Sequence, residues 1–257
     1  MATIPKFVIA GAQKAGTTAV ARNLSLHPQI NVFSGTTEFG QKEIEFFNQH
    51  WDMGISWYAS HFQETSAAMV GEKTAELLHR KICHERMFQT NSEFKLIVLL
   101  RSPPDRAYSQ WKMAALHKGD EVDAFETVVE RELATLDDKM LAEQVYNCSS
   151  GAVSCWREGY LLKGMYAEQL DSLLKWFPRK QVWVGISERL RSNPDKAYAD
   201  MYDFLGVDPF KVDFTEHFIG RPAPPMSARM RSLLRDIYRE PNQRLFSMLD
   251  LEITDWR

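Results

Sequence analysis

The stretch KFVIAGAQKAGTT, Lys6 to Thr18, decides the fold. Phe7, Val8, Ile9 and Ala10 form a short apolar run of the kind that makes a parallel strand covered on both faces. Gly11 permits the turn out of that strand, and Gly16 lets the backbone approach an anion closely. Thr17 and Thr18 then open a helix whose first N–H groups and positive dipole end face the same anion, with Lys14 adding a full charge. Strand, glycine-bounded loop and helix together make a phosphate cradle, although the same order of elements also occurs in sheets that bind nothing.

The spacing is that of the P-loop GxxxxGK[ST], except that position 17, where a nucleotide triphosphatase carries lysine, is threonine. That departure points to nucleotide binding without triphosphate chemistry. A second strand-to-helix junction lies in KLIVLLRSPPDRAYSQW, Lys95 to Trp111. Pro103 and Pro104 suit a helix entrance, where a missing N–H does no harm. Ser109 follows Pro104 by about one and a half turns, so Arg101 and Ser109 can converge on one ligand group. An ordinary helix cap with a surface arginine is the plain alternative.

GAQKAGTT, LLRSPPDRAYSQW and IGRPAPP, in that order, resemble the sulfotransferases that use 3′-phosphoadenosine 5′-phosphosulfate. Within them the chain is most similar to the heparan sulfate 3-O-sulfotransferase and N-sulfotransferase group. SLHPQI, KEIEFF, GEKT, KWFP and the closing REPNQRLF extend the resemblance over nearly the whole chain. It implies a single α/β domain over residues 1–257, with a central, mainly parallel sheet and a P-loop-like phosphosulfate-binding loop.

By the same resemblance, Lys14, Ala15, Gly16, Thr17 and Thr18 would hold the 5′-phosphosulfate, with Lys14 near the bridging oxygen. Arg101 and Ser109 would bind the 3′-phosphate. Gly220 and Arg221 match the family's Lys-Gly-Arg loop, with Ile219 in place of its lysine. Glu43 matches the glutamate before the family's aromatic pair and is the candidate general base, while Glu45 stands where that group usually has histidine. An apolar setting of Phe46, Phe47 and Trp51 would raise the carboxyl pKa of Glu43 and suit it to that work. A solvated face is the alternative, since Glu43 and Glu45 would share one side of a strand. Lys73, in a Glu-Lys-Thr match, is expected at the carboxyl end of a central strand, where open sheets place ligands. There it could position Glu43 or stabilise the sulfuryl oxygens; a pair with Glu72 is the alternative, but adjacent strand residues face opposite ways.

The 257 residues are 44% hydrophobic, enough for a full core, and no run approaches a membrane span. With the first strand reached by residue 7 there is no room for a signal peptide, so a cytoplasmic enzyme is expected. Cys83, Cys148 and Cys155 are too few and poorly spaced for a zinc site, and reduced thiols are expected. No metal, nucleic acid or membrane partner is anticipated, and the oligomeric state cannot be read. Helices are expected over Val122 to Met140, Gly159 to Trp176, Pro194 to Leu205 and Met226 to Leu249, a strand over Gln181 to Ile186, and a mobile lid at Arg221 to Pro225. Tyr160 matches a family aromatic that lines the pocket or packs the core.

The formal net charge of −3 does not favour a polyanion, which needs clustered Lys and Arg. Thr36 to His61 carries Glu38, Glu43, Glu45, Asp52 and several aromatics, a composition that prefers a neutral or cationic small molecule. The expected acceptor is therefore a small metabolite, of secondary metabolism, sulfated on a hydroxyl or an amine. A glycan acceptor, a P-loop nucleotide kinase and a non-catalytic nucleotide-binding protein are the rival readings.

Overall fold

The computed structural model describes residues 4–33, 35–38, 40, 42–62, 65–118, 121–136, 143, 145–146, 159–211 and 224–256. Five strands build it: β1 (Phe7–Gly11), β2 (Ile30–Val32), β3 (Met69–Lys73), β4 (Lys95–Leu100) and β5 (Val182–Ile186). They lie in the order β2-β3-β1-β4-β5, and every neighbouring pair is parallel. β1 is buried along its whole length, as its uninterrupted apolar run requires.

Nine α-helices connect and cover the sheet: α1 (Thr17–Leu24), α2 (Gly54–Ser60), α3 (Lys81–Thr90), α4 (Pro103–Lys112), α5 (Phe125–Leu133), α6 (Tyr166–Leu174), α7 (Ser187–Ser192), α8 (Pro194–Leu205) and α9 (Ala228–Leu249), counted among the described residues. Local sequence explains several of their ends. Pro103 and Pro104 occupy the first turn of α4. Asn193 caps α8 by accepting from Lys196 N at 3.2 Å, Pro194 follows it, and Gly206 ends the helix in the left-handed conformation. Ser227 caps α9.

Two of the longer helices expected from sequence are shorter. Gly159 has φ of 74°, a 3₁₀ turn covers Leu162–Gly164, and α6 starts only at Tyr166. Met165, with φ of −80° and ψ of 67°, interrupts the run between the 3₁₀ turn and α6. α5 covers Phe125–Leu133, and residues 137–140 of the longer helix lie outside those described. The expected strand near Gln181 begins at Val182, after a 3₁₀ turn over Arg179–Gln181.

The main core packs the sheet against α1, α3, α6 and α8. A second cluster, with Ala107, Phe125, Val129, Tyr160, Leu161, Leu234 and Tyr238, gathers α4, α5 and α9. Tyr160 is wholly buried there, in a packing role. Among the described residues no helix is long and apolar enough to cross a membrane.

The topology fixes where a ligand can sit. The chain leaves β1 toward β2 but leaves β4 toward β5, so the carboxyl ends of β1 and β4 flank the switch point of the sheet. β1 carries an irregularity between Ile9 and Gly11 that turns its end into the following loop. A Cβ on Gly11 would lie 2.8 Å from Leu78 Cβ and 3.0 Å from Ala75 O, so only glycine lets the strand end pass this close to the β3–α3 connection.

Gly71 faces Phe7 in register, and a Cβ there would enter the phenyl ring. Gly71→Ala is expected to cost about 1–3 kcal/mol through overpacking, and less in a Phe7→Leu background. Thermal unfolding of the four-member cycle checks the coupling.

Candidate functional site

The loop of residues 12–16 has no ladder of its own, and its polar groups are met from three directions. Ala12 N donates to Leu99 O of β4 at 2.7 Å. Gln13 Nε2 donates to Glu76 Oε1 at 2.7 Å, and Glu76 is held in turn by Arg80 at 2.6 Å. Arg101 Nη1 donates to Lys14 O at 3.0 Å, and Ser187 Oγ donates to Ala15 O at 2.8 Å. The loops after β3, β4 and β5 therefore all hold the loop after β1. Lys14 has φ of 71° and Gly16 of 104°, so the loop curls in the left-handed region before α1 starts. No side chain caps α1, which leaves its first N–H groups to whatever occupies the curl. Thr17 is buried, while Gly16 and Thr18 are exposed.

Arg101 is the cation nearest this curl by direct bonding. Burial, and next the charge of Arg191, push its guanidinium below its ordinary range. Its Nε is buried without a partner, an arrangement that an anion would relieve. Tyr166 OH donates to Arg101 O at 2.9 Å, and Glu188 accepts from Ser102 N at 3.0 Å, so the turn carrying Arg101 is fixed. The Lys14 ammonium reaches Met113 Sδ at 3.4 Å, at the start of the π-helical stretch after α4. Ser109 is half-buried on α4. Gly220 and Arg221 lie outside the described residues, as do Ile219, Cys148 and Cys155 and all but the last two positions of the expected lid.

At the end of β3, Lys73 Nζ bonds Glu43 Oε1, and Ala75 N donates to Glu43 Oε2 at 3.0 Å. The two side chains are thus brought together as expected, one strand over from the phosphate-type loop. Their setting differs from the expectation. Residues 42–45 form no strand, and the immediate neighbours of the Glu43 carboxylate are a cation and an N–H rather than rings. Phe46 instead stacks on Tyr58 at 4.5 Å, and Phe47 meets Tyr58 edge-on.

Two carboxyls near this pair, Glu45 and Glu72, are displaced upward. Glu45, with φ of 54°, is pushed up to about 7 by burial and by the charges of Glu76 and Glu43. Glu72 is pushed up to about 7 by burial, against the opposing bonds from Thr74 Oγ1 at 2.8 Å and Tyr58 OH at 2.9 Å. Glu72 and Lys73 do not pair; Glu72 points into the core.

Sequence reasoning missed Gln13, Glu76, Arg80 and Ser187. Glu76 and Arg80 stand four apart, but a charged i,i+4 pair usually marks a solvated face, whereas this one is buried to 2% and 1% exposure. Among the described residues no group of three His, Cys, Asp or Glu side chains is arranged to hold a metal ion.

Residues 5–218 match the model of the sulfotransferase domain family. The chain belongs to that family. It is 25% identical to the membrane-associated sulfotransferase kil1 of Dictyostelium discoideum, over 96% of this chain and 65% of that protein. It is 30% identical to the bifunctional heparan sulfate N-deacetylase/N-sulfotransferase 2 of Bos taurus, over 98% of this chain but 30% of that protein. The chain thus spans less than two thirds of the length of either relative. A sulfotransferase of Alicyclobacillus acidocaldarius shares its fold with a TM-score of 0.76 at 24% identity, each chain covered to 99%. The fold of this sulfotransferase-family chain and its relation to the heparan sulfate sulfotransferases are therefore as the sequence implied.

Glu72 binds a proton more tightly in the fold than its ordinary value of 4.5 allows, so its contribution to stability falls as pH rises from about 4.5 through about 7. Glu72→Gln cannot ionise. The variant is expected to gain on the parent as pH rises over that interval, by up to about 1.4 kcal/mol per pH unit at the steepest. Denaturant unfolding of both proteins across this range checks the sign; parallel curves exclude it.

Proposed function

We propose that the protein transfers a sulfuryl group from 3′-phosphoadenosine 5′-phosphosulfate to a hydroxyl or amine of a small, neutral or cationic metabolite. The observation that carries this reading is the junction at the switch point. A glycine-bounded loop whose carbonyls are held from β4 and β5 turns its helix N-terminus outward beside a desolvated Arg101. The Glu43–Lys73 pair stands one strand away. The donor is implied by the family.

In this reading residues 14–18 hold the 5′-phosphosulfate, and Arg101 with Ser109 takes the 3′-phosphate; Gly220 and Arg221 are assigned by their match to the family loop. Glu43, oriented by its bonds from Lys73 and the Ala75 N–H, accepts the proton of the acceptor O–H or N–H. The acceptor atom bonds to sulfur, the bond from sulfur to the bridging oxygen breaks, and the electron pair stays with the departing nucleotide, whose charge Lys14 and the helix N-terminus stabilise. Lys73 also offers charge to the sulfuryl oxygens. No lysine follows Gly16, so the loop lacks the residue on which triphosphate transfer relies.

A glycan acceptor is the second reading, favoured by the similarity to the bovine heparan sulfate N-deacetylase/N-sulfotransferase 2. Against it stand the carboxylates and rings of residues 36–61.

Calorimetric titration with 3′,5′-adenosine bisphosphate, 5′-AMP and magnesium ATP tests the donor assignment. The bisphosphate is expected to bind at least about tenfold more tightly than 5′-AMP; preference for magnesium ATP moves the assignment to a nucleotide kinase. Arg101→Ala is expected to weaken bisphosphate binding about 10- to 100-fold. Once an acceptor is in hand, Lys14→Ala and Glu43→Gln are expected to lower kcat about 100-fold or more while the bisphosphate still binds to Glu43→Gln. An unchanged kcat in Glu43→Gln removes it as the base, and nucleotide binding without turnover of any acceptor marks a binding protein.

A further inference from the structure

The fold uses only part of Arg101. Its Nη1 donates to Lys14 O at 3.0 Å, while Nε is buried without a partner. Nε and Nη2 form the edge of a guanidinium that grips two oxygens of a phosphate at once, so the orphaned N–H stands on the edge suited to an oxyanion. Two carboxylates lie near enough for Arg101 to feel their charge, Asp105 and Glu188, and both are bound elsewhere. Asp105 Oδ1 accepts from Arg231 Nη1 at 2.9 Å. Glu188 Oε1 accepts from Ser102 N at 3.0 Å, and its Oε2 from Trp256 Nε1 at 3.4 Å. Among the described residues neither carboxylate bonds Arg101.

After burial, the largest influence on Arg101 is a like charge, that of Arg191. Helical spacing explains how Arg191 comes there. α7 is anchored through its first two residues: Ser187 Oγ donates to Ala15 O at 2.8 Å, and Glu188 takes the N–H of Ser102, next to Arg101. Arg191 follows Ser187 by four positions and Glu188 by three, so it stands on the side of α7 that faces the loops after β1 and β4. Arg189 serves another contact and donates to Glu252 O. Two guanidiniums gathered at one place raise the local potential and favour a dianion there.

Asp105 opposes such a site. It precedes Ser109 by four positions and shares its face of α4, so an anion held by both Arg101 and Ser109 passes close to the Asp105 carboxylate. Arg231, reaching in from α9, covers that charge. Three guanidiniums, from the end of β4, α7 and α9, thus stand around two carboxylates.

We propose that Arg191 is a second ligand of the nucleotide 3′-phosphate beside Arg101, and that Arg231 is a positioning residue that neutralises Asp105 so that the phosphate settles between Arg101 and Ser109. The assignment rests on the donor reading given under Proposed function and deepens it, from one arginine to a cluster that selects a nucleotide phosphorylated at the 3′ as well as the 5′ position. Arg191 and Arg231 set donor affinity and take no part in sulfuryl transfer.

The full chain is titrated calorimetrically with 3′,5′-adenosine bisphosphate and with 5′-AMP, and the ratio of the two affinities reports the 3′-phosphate alone. Arg191→Gln is expected to lower that ratio about 5- to 20-fold with 5′-AMP affinity held within about twofold, and Arg191→Lys, which keeps the charge, to lower it about threefold or less. Arg231→Gln is expected to lower the ratio about 3- to 10-fold, and Asp105→Asn added to it to restore the ratio to within about twofold of the parent. A pair that only ties α4 to α9 predicts no such recovery, and 5′-AMP binding would weaken alongside. A ratio unchanged in Arg191→Gln removes Arg191 from the site, and a loss in Arg231→Gln that Asp105→Asn does not restore removes Arg231. A parent that binds the bisphosphate no better than 5′-AMP overturns the donor reading and this assignment together, whereas a parent that prefers the bisphosphate with a ratio indifferent to both arginines overturns this assignment alone.

Discussion

Every polar group of a buried backbone needs a partner, and the loop after β1 must find its partners outside itself. That constraint organises the carboxyl edge of the sheet. Arg101 reaches back from β4 to the Lys14 carbonyl, Ser187 from β5 to the Ala15 carbonyl, and Glu76 from the β3 side to the Gln13 amide. The same bonds do two tasks. They stabilise the curl, and they place Arg101 where a ligand on the curl would meet it. Loop shape and local charge are consequently linked at this edge, since removing Arg101 removes a partner of the loop backbone as well as a charge.

Beneath the edge lies a buried ionic layer. Glu76 and Arg80 pair at 2.6 Å, Arg106 bonds Gln110 at 2.9 Å and Tyr160 O at 2.5 Å, and Glu132 accepts from Tyr160 N and Leu161 N at 2.8 and 2.7 Å. Lys163, wholly buried, is pushed down to about 8 by burial, with Glu76 the chief opposing charge. Such pairs contribute little net stability against apolar residues of the same size, yet losing one partner leaves an uncompensated charge in the interior. The layer therefore acts as a geometric lock between the main core and the second cluster. Gln13 is the point at which that lock touches the phosphate-type loop.

The sequence made the frame legible where local chemistry and tertiary demand agree. An apolar run before Gly11 and prolines at the start of α4 each have one physical meaning, and the fold uses it. The pairing of Glu43 with Lys73 was legible only through family resemblance, because no local pattern ties residues 30 apart. The surroundings of Glu43 were not legible: adjacency to Phe46 and Phe47 suggested an apolar pocket, but the irregular backbone of residues 42–45 sends the rings to Tyr58 and the carboxylate to Lys73. The apparent helix from Gly159 failed for a related reason. Apolar spacing reports which side is buried, and it is silent on the non-helical backbone at Met165.

The edge of the sheet is divided in sign as well as in shape. From β1 to β5 the groups that meet the loop are cationic or N–H donors, namely Lys14, Arg101 and the open end of α1, with Arg191 near. From β3 to β2 they are carboxylates and rings, with Lys73 the cation that pairs Glu43. On the proposed reading, a dianionic or more highly charged nucleotide would fit the first half and be repelled by the second, so the division would orient a donor before any specific bond forms. On the same reading, the acidic half would suit a neutral or cationic acceptor for the same reason. Overall charge is a poor guide to either preference, because a formal net charge of −3 averages two regions that oppose each other. What the molecule can bind is set by the sign of each half and by the line between them, which runs along the boundary of β1 and β3.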